Sequence, residues 1–311
     1  MGTSVAVFLP PQYAYEVALT LLKFIGEDIR CTSKKLALYR TCNIAILSVL
    51  LVFVIKPLFE DNAAIVESIE SIIAVGHPLT KYLLLIFNKA QIRQLLGEMS
   101  RISFDEFRFR DKFIAADTRF NRIVRIVQCV LPFFSGIVVL TYMLRPLLHH
   151  QMFIMKTWIV ESTVINVIVL AMEYYLFLLI IPIMVGYDCL YLAFCTRLIL
   201  HVKRLNYMFE NLSNGDDPEQ ARKSLVRCIK YHELLLRTFQ RLKSIYSFTF
   251  LFHYFSSLLS VCVELYEMLE NSEYDVEQLA VVLALISQFG YYTFPAEEIT
   301  SQKLRLHDLL T

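Results

Sequence analysis

The side chains of this sequence that could do chemistry lie inside long apolar stretches. They are four residues of one stretch and two of another: Glu67, Glu70, His77, Lys81, Glu173 and Asp188. An ionisable side chain within a membrane helix costs about 2.5 to 3.5 kcal/mol on insertion scales, so it normally faces a protein or water-filled interior. Their types therefore indicate internal pairing, ion attraction or ligand contact.

Specific roles follow from spacing. The two glutamates Glu67 and Glu70 are three residues apart and share a helix face, which fits either a cation-attracting vestibule or a solvated helix end. We expect Glu173 to hydrogen-bond a ligand or an internal partner such as His77. Asp188 precedes Arg197 by nine residues, and a helix-end pair between them is predicted.

Catalytic and metal-binding patterns are missing from the sequence. His232-Glu233 begins like a zinc-protease motif, but position 236 is Leu, so the second ligand fails. No phosphate-binding loop, dinucleotide fingerprint or nucleophile elbow is present, and eight glycines leave little room for such loops. No Cys/His spacing fits a zinc site. We expect no enzyme activity, no metal and no cofactor.

The elements that must position these residues are apolar helices. The chain has 311 residues, of which 56% are hydrophobic, more than a soluble domain usually carries. Its net charge of +1 gives no reason to expect a nucleic-acid partner. Six apolar stretches are predicted to span a lipid bilayer, at residues 41–55, 63–87, 126–144, 163–200, 245–263 and 279–296. The predicted fold class is an all-α, polytopic transmembrane bundle.

The connections between these stretches alternate between Lys/Arg-rich and Lys/Arg-poor. The fifth connection, residues 264–278, has no basic residue and six acidic ones. Because basic residues near span ends stay in the cytosol, the bias predicts a cytosolic N-terminus and six crossings. Residues 1–40 would then be a cytosolic segment, and residues 41–298 the six-span domain.

Two predicted helices are longer than a bilayer is thick. Residues 163–200 would extend about 57 Å, almost twice the hydrocarbon thickness. The basic stretch 222–243 has apolar residues at helical spacing and should extend the fifth span in the same direction. We therefore expect a cytosolic helical extension over about residues 187–244, with a turn at 213–218, Ser-Asn-Gly-Asp-Asp-Pro.

Four stretches of the sequence together resemble a known family. Residues 225–232 read Leu-x-x-Cys-Ile-x-x-His, residues 186–191 read Gly-Tyr-Asp-Cys-Leu-Tyr, residues 21–26 read Leu-Leu-Lys-Phe-Ile-Gly, and residues 299–310 follow the sixth stretch. In this order, and with an inside N-terminus, they resemble the insect odorant receptor family. The resemblance implies an assembly or anchor role for four residues: Asp188, Cys228, Ile229 and His232.

Members of that family are tetrameric, odorant-gated cation channels that combine an odorant-binding subunit with a shared co-receptor. The resemblance thus implies a small volatile odorant and a co-receptor as partners, in the multi-pass cell membrane of a sensory neuron dendrite. The family has a seventh, pore-lining span, whereas residues 299–311 form a short tail, so truncation before that span is expected. Two alternatives stay open: a gustatory receptor relative, and a non-conducting six-span transporter or scaffold.

A volatile apolar ligand needs an apolar, aromatic-rich cavity with few polar groups. With the predicted orientation, that cavity belongs to the outer halves of the spans. The candidate lining residues are Ile73, Phe134, Tyr142, Met143, Ile168, Met172, Tyr175 and Tyr254. Trp158, in the third connection, is interpreted as an anchor at the membrane interface, where amphipathic rings prefer to lie.

Overall fold

A computed structural model describes residues 13–29, 34–60, 65–101, 110–148, 150–210, 218–271 and 276–310. Within these ranges the regular elements are helical. They are α1 (Tyr13–Phe24), α2 (Lys34–Ile55), α3 (Pro57–Glu60), α4 (Ile65–Phe87), α5 (Lys89–Arg101), α6 (Arg110–Leu148), α7 (Thr163–Ile180), α8 (Gly186–Glu210), α9 (Pro218–Asn271) and α10 (Val276–Leu310), with a π-helical turn (Ile181–Val185) between α7 and α8.

The prediction of an all-α membrane bundle is confirmed. Five helical stretches in the described ranges are long and apolar enough to cross a membrane: Lys34–Glu60, Ile65–Phe87, Arg122–Leu148, Thr163–Glu210 and Glu219–Tyr266. The sixth predicted span lies within α10. The weakest predicted span, interrupted by four ionisable residues, is the helix α4. The orientation of the bundle stays a prediction.

The fourth span was predicted to be one regular helix, and the structure differs from this prediction. It reaches Glu210, and a π-helical turn at Ile181–Val185 interrupts it. Pro182 lies in this turn, and because proline has no backbone N–H it cannot take part in the regular α-helical ladder. The amide of Gly186 donates to the carbonyl of Ile183, and α8 continues from there.

The helix α8 is the centre of the fold, because it packs against α1, α6, α9 and α10. Its close contact with α1 depends on Gly186, where an added Cβ would lie 3.1 Å from Leu22 Cδ2 and 3.2 Å from Leu21 Cβ. One turn further, Tyr191 packs against aromatic rings of α9 and α10, with centroids 4.9 Å from Phe250 and 5.4 Å from Tyr292.

The segment that ends α1 is fixed between α2, α4 and α5. Gly26 has φ +83°, the left-handed conformation that terminates many helices and favours glycine. The buried carboxylate of Glu27 accepts from Arg40 of α2 at 3.1 Å and from Lys89 of α5 at 2.8 Å. The hydroxyl of Tyr82 donates to the carbonyl of Ile25 at 2.6 Å. The N-terminal helix is therefore part of the bundle.

The first half of α9 continues the fifth span, as the sequence predicted, so that α9 has 54 residues. The predicted turn at 213–218 and Asn211 lie outside the described residues, apart from Pro218 itself. Of the anchor candidates on this half, Cys228 is buried, His232 is half-buried and Ile229 is 54% exposed. The assembly role of these residues stays a prediction.

Candidate ligand-binding cavity

A cavity of about 1850 Å³ opens among the helices. Its walls come from α4, α6, the fourth span around the π-helical turn, α9 and α10, and residues 151–159 of the loop before α7 cover it. Ligand pockets in proteins are typically about 300 to 1,000 Å³. The volume therefore accommodates a small ligand without a tight steric limit.

Most of the wall is apolar. Its apolar residues include Ile65, Val66, Ile73, Ile126, Val127, Val130, Leu131, Phe134, Val138, Val139, Phe153, Phe177, Ile180, Met184, Val185, Leu283 and Leu285. A surface of this kind gains free energy when it takes an apolar molecule out of water, at about 25 cal/mol per Å². Affinity is thus expected from burial, and selectivity from the few polar groups.

The most buried polar group in the wall belongs to a charged cluster, which we call the polar floor: Lys81, Asp188, Gln288 and Tyr292. Lys81 Nζ lies 2.7 Å from Asp188 Oδ1, and both residues are 1% exposed. The Tyr292 hydroxyl donates to the same carboxylate oxygen. The Gln288 amide donates to Asp188 Oδ2 at 2.8 Å. These bonds join α4, α8 and α10, and they compensate the cost of burying the two charges.

A histidine pair adjoins the polar floor. His77 lines the cavity one helical turn before Lys81, and its Nε2 lies 3.3 Å from Nδ1 of His253. Its Nδ1 lies 3.3 Å from Ser256 Oγ. The ring of His253 contacts that of Tyr292, with centroids 4.8 Å apart. Both ring nitrogens of His77 are thus engaged by α9, which extends the polar contacts from α10 to α9.

A second set of charges lies at the opposite end of the cavity. The Tyr142 hydroxyl donates to Glu70 Oε1 at 3.1 Å, and Arg145 lies 3.5 Å from the same oxygen. Lys156 pairs with Glu67 at 3.4 Å. The two glutamates therefore face basic side chains rather than a bare vestibule, which favours the solvated, ion-paired helix end over the cation-attracting alternative.

The loop over the cavity is fixed by a glutamate from inside the bundle. Glu173 is 0% exposed, and its carboxylate accepts from the Ile154 amide and the Thr157 hydroxyl, each at 2.8 Å. The expectation of an internal partner such as His77 is met in kind, but the partners are Ile154 and Thr157 of the loop. Trp158, in the same loop, has two contacts with the end of the first span. Its amide donates to the Phe53 carbonyl at 3.0 Å, and Lys56 Nζ lies 2.9 Å from the centroid of its ring.

The structure brings three of the eight predicted ligand residues into the cavity wall: Ile73, Phe134 and Tyr142. Met143 and Met172 are half-buried and pack on the core. The Tyr175 hydroxyl donates to Asn43 at 2.6 Å, and Ile168 is 53% exposed. The ring of Tyr254 makes an edge-to-face contact with that of Phe289, with centroids 4.8 Å apart. A ligand role for any of the eight stays a prediction.

Two parts of the wall escaped the sequence analysis. The fourth span lines the cavity with residues between 177 and 188, which follow the predicted Ile168, Met172 and Tyr175 in the chain. Residues 151–157 and 159 of the loop also line the cavity, and none of them was among the predicted residues. The buried Glu173 was the available signal, because an ionisable side chain in a span requires a nearby polar partner. Asp188 pairs with Lys81, so the predicted partner Arg197 was wrong.

No metal centre is found in the ranges that the structure describes, where no three His, Cys, Asp or Glu residues are grouped to hold an ion. What the arrangement offers is reversible, non-covalent binding: an apolar wall, a charged but internally neutralised floor, and a covering loop. A ligand that fills it would contact five membrane helices and the loop at once.

Comparisons with known proteins match the chain to one group. The family described as 7tm Odorant receptor matches residues 61–309. Two solved structures of the insect olfactory receptor OR5 from Machilis hrabei are similar in fold. One has a TM-score of 0.77 at 15% identity, and the other, in complex with eugenol, has 0.81 at 16%. Each alignment covers 95% of this chain and 81% of the other. No curated protein matches in sequence.

Proposed function

The chain belongs to the 7tm Odorant receptor family, and from that premise we propose that it is the odorant-binding subunit of an odorant-gated cation channel. The observation that supports this proposal is the cavity of about 1850 Å³ with its apolar wall and polar floor. A fold relative was solved in complex with eugenol, a small volatile phenol, which is a ligand of the size and polarity that such a cavity suits.

Gating requires that the ligand bind one state of the bundle better than another, since a ligand shifts an equilibrium only by its differential affinity. The cavity wall is shared by α4, α6, the fourth span, α9 and α10, so a ligand in it contacts several separate helices, and a change in their packing would alter its affinity. We propose that the channel is a hetero-tetramer with a co-receptor in the dendrite membrane of a sensory neuron, and that the ligand favours its open state.

Binding can be tested on the full chain in lipid nanodiscs. Trp158 is the one tryptophan of the sequence, and its neighbours Thr157 and Ile159 line the cavity, so its fluorescence reports on ligand entry. We expect eugenol to change this fluorescence saturably. Phe134→Ala should weaken binding, whereas Phe133→Ala, the adjacent phenylalanine outside the wall, should not. Equal effects of both substitutions would place the ligand elsewhere.

The channel part of the proposal has its own measurement. Cells that express the chain together with an insect odorant co-receptor should show a cation current that depends on odorant. Cells with the co-receptor alone are the control. Saturable binding without any such current would overturn the channel role and leave the binding role intact.

A further inference from the structure

We propose that Gln288 is the specificity-determining residue of the cavity. Its side-chain amide oxygen accepts a hydrogen bond from a ligand hydroxyl, so that the cavity prefers small apolar molecules with one hydroxyl donor over equally apolar molecules without one. This inference rests on the proposed odorant-binding function and names the ligand class for the same cavity.

The orientation of the Gln288 amide is fixed by its partner. Its Nε2 donates to Asp188 Oδ2 at 2.8 Å. Because the Asp188 carboxylate is paired with Lys81, it can only accept hydrogen bonds, and the nitrogen of the amide must face it. The amide oxygen Oε1 is therefore directed away from Asp188. Lys81 and Tyr292 hold Asp188 in turn, so the acceptor is preorganised by buried groups.

The same oxygen has no donor within the protein. Gln288 is half-buried in the cavity wall, and no described side chain or backbone N–H donates to its Oε1. Two other polar groups of the wall nearby are occupied: His77 engages His253 and Ser256 through its two nitrogens, and Asp188 accepts from three donors. The unpaired Nε2 of His253 belongs to a residue outside the cavity wall. Gln288 is thus the fixed group at the floor that still has an unused acceptor.

Three serine hydroxyls also line the cavity, from Ser71, Ser135 and Ser260. The Ser71 hydroxyl is occupied, since it donates to the Glu67 carbonyl at 2.8 Å and accepts from the Lys156 amide at 2.9 Å. A serine hydroxyl in a helix rotates freely and can return its hydrogen bond to a carbonyl of its own helix. Such a group adapts to either a donor or an acceptor on the ligand and selects weakly between them. A fixed carbonyl oxygen differs, because an ether oxygen in the same place leaves it unpaired in apolar surroundings.

Matched ligand pairs test the inference on the wild-type chain in nanodiscs. Each pair is a hydroxyl compound and its methyl ether: eugenol with its ether, and a medium-chain primary alcohol with its ether. The cavity volume accommodates the added methyl group, so size does not decide the comparison. We expect the hydroxyl member to bind roughly three- to tenfold tighter, the value of one hydrogen bond. Equal affinity, or tighter ether binding, overturns the inference.

Substitution then locates the preference. Gln288→Met keeps the length of the side chain and removes its acceptor, so hydroxyl ligands should weaken by the same factor while the ethers are unchanged. Gln240→Met, the same substitution at an exposed position of α9 outside the cavity wall, should keep the preference. If Gln288→Met does not fold, Gln288→Asn, which withdraws the amide by one methylene, should lose the preference instead. A preference retained by the folded Gln288 variant overturns the inference.

The failures of the two proposals are distinguishable. If ethers and hydroxyl compounds both bind, without preference, the odorant-binding function stands and the role of Gln288 falls. If no member of either pair binds, the proposed function falls and the role of Gln288 falls with it.

Discussion

Lys81 of α4 and Asp188 of α8 form an ion pair of 2.7 Å across 107 residues of sequence, and both side chains are 1% exposed. Both lie in candidate membrane spans, where an unpaired charge would be costly. The pair therefore fixes which faces of the second and fourth spans meet. Through Tyr292 and Gln288 the same carboxylate also sets the position of α10.

The first prediction concerns this pair. Lys81→Met leaves the Asp188 carboxylate buried without its countercharge, and we expect a loss of about 3 to 5 kcal/mol of stability. Adding Asp188→Asn removes the uncompensated charge and should recover part of the loss. Thermal unfolding of the purified proteins in detergent measures both. If the double variant is no more stable than Lys81→Met, the two residues are not coupled.

The second prediction concerns the loop over the cavity. Glu173→Ala leaves the Ile154 amide without its acceptor, a cost of about 1 to 3 kcal/mol, and the Thr157 hydroxyl keeps only the Met155 carbonyl, at 3.1 Å. We expect faster hydrogen exchange in residues 151–159 and faster ligand dissociation. Glu161→Ala, an exposed position in the same loop, is the control and should change neither. Unchanged exchange in Glu173→Ala would show that the loop is held by other contacts.

The third prediction compares two helical glycines. A Cβ at Gly186 would meet Leu21 and Leu22 at 3.2 and 3.1 Å, whereas a Cβ at Gly76 would meet nothing within 4 Å. The gain in helix propensity from alanine is common to both substitutions, so it cancels in the comparison. We expect Gly186→Ala to be about 1 to 3 kcal/mol less stable than Gly76→Ala, because it overpacks the contact between α1 and α8. Equal unfolding temperatures would contradict this.

The fourth prediction is a pH dependence at Glu298 in the second half of α10, beyond the sixth predicted span. Lys203 Nζ lies 2.6 Å from Glu298 Oε1, and this hydrogen bond lowers the pKa of Glu298. A lowered pKa in the folded state stabilises the protein at neutral pH, and the contribution disappears as the pH falls through the folded value. Both side chains are about a third exposed or more, so we expect less than about 1 kcal/mol.

Glu298→Gln should therefore lower the unfolding temperature slightly at neutral pH and leave it unchanged at acid pH. Glu297→Gln is the matched control, since Glu297 is exposed and has no ion pair in the part of the chain that the structure describes. A difference between Glu298→Gln and wild type that grows toward acid pH would reverse the predicted sign.

The fifth prediction concerns orientation. Asn211-Leu212-Ser213 is the one N-glycosylation sequon of the sequence, and the predicted topology places it in the cytosol. It should remain unmodified in a cell that glycosylates secreted proteins. Glu273→Thr creates an acceptor at Asn271, on the predicted outer side, and a glycan is expected there. Glycosylation of Asn211 would show that the bundle has the opposite orientation to the predicted one.

The helices could be predicted from sequence because their signal is local. The apolar stretches have the required length, and even α4, with its four ionisable residues, forms where the alternation of basic connections required a span. The same local information predicted that Glu173 needs an internal partner, but which group reaches it depends on how the loop folds back. Pro182 was the local sign of the interruption in the fourth span.

The cavity wall was harder to predict than the helices. An amphipathic helix shows by its periodicity which face is buried, but α7 is apolar apart from a few side chains, of which Asn166 and Glu173 are buried. Its rotation is set by packing, which is why Ile168 lies on an exposed face while Phe177 lines the cavity. Ile73 of α4 and Phe134 and Tyr142 of α6, by contrast, do belong to the wall.

The length of α9 amplifies small rotations. With 54 residues it is about 81 Å long, and Ser256 and Ser260 lie in its final third, where Ser260 lines the cavity. A rigid rod of that length that turns by about 5° about one tip moves the other tip by roughly 7 Å. A small rotation of the end of α9 that lines the cavity would thus become a much larger displacement at the opposite end of the helix.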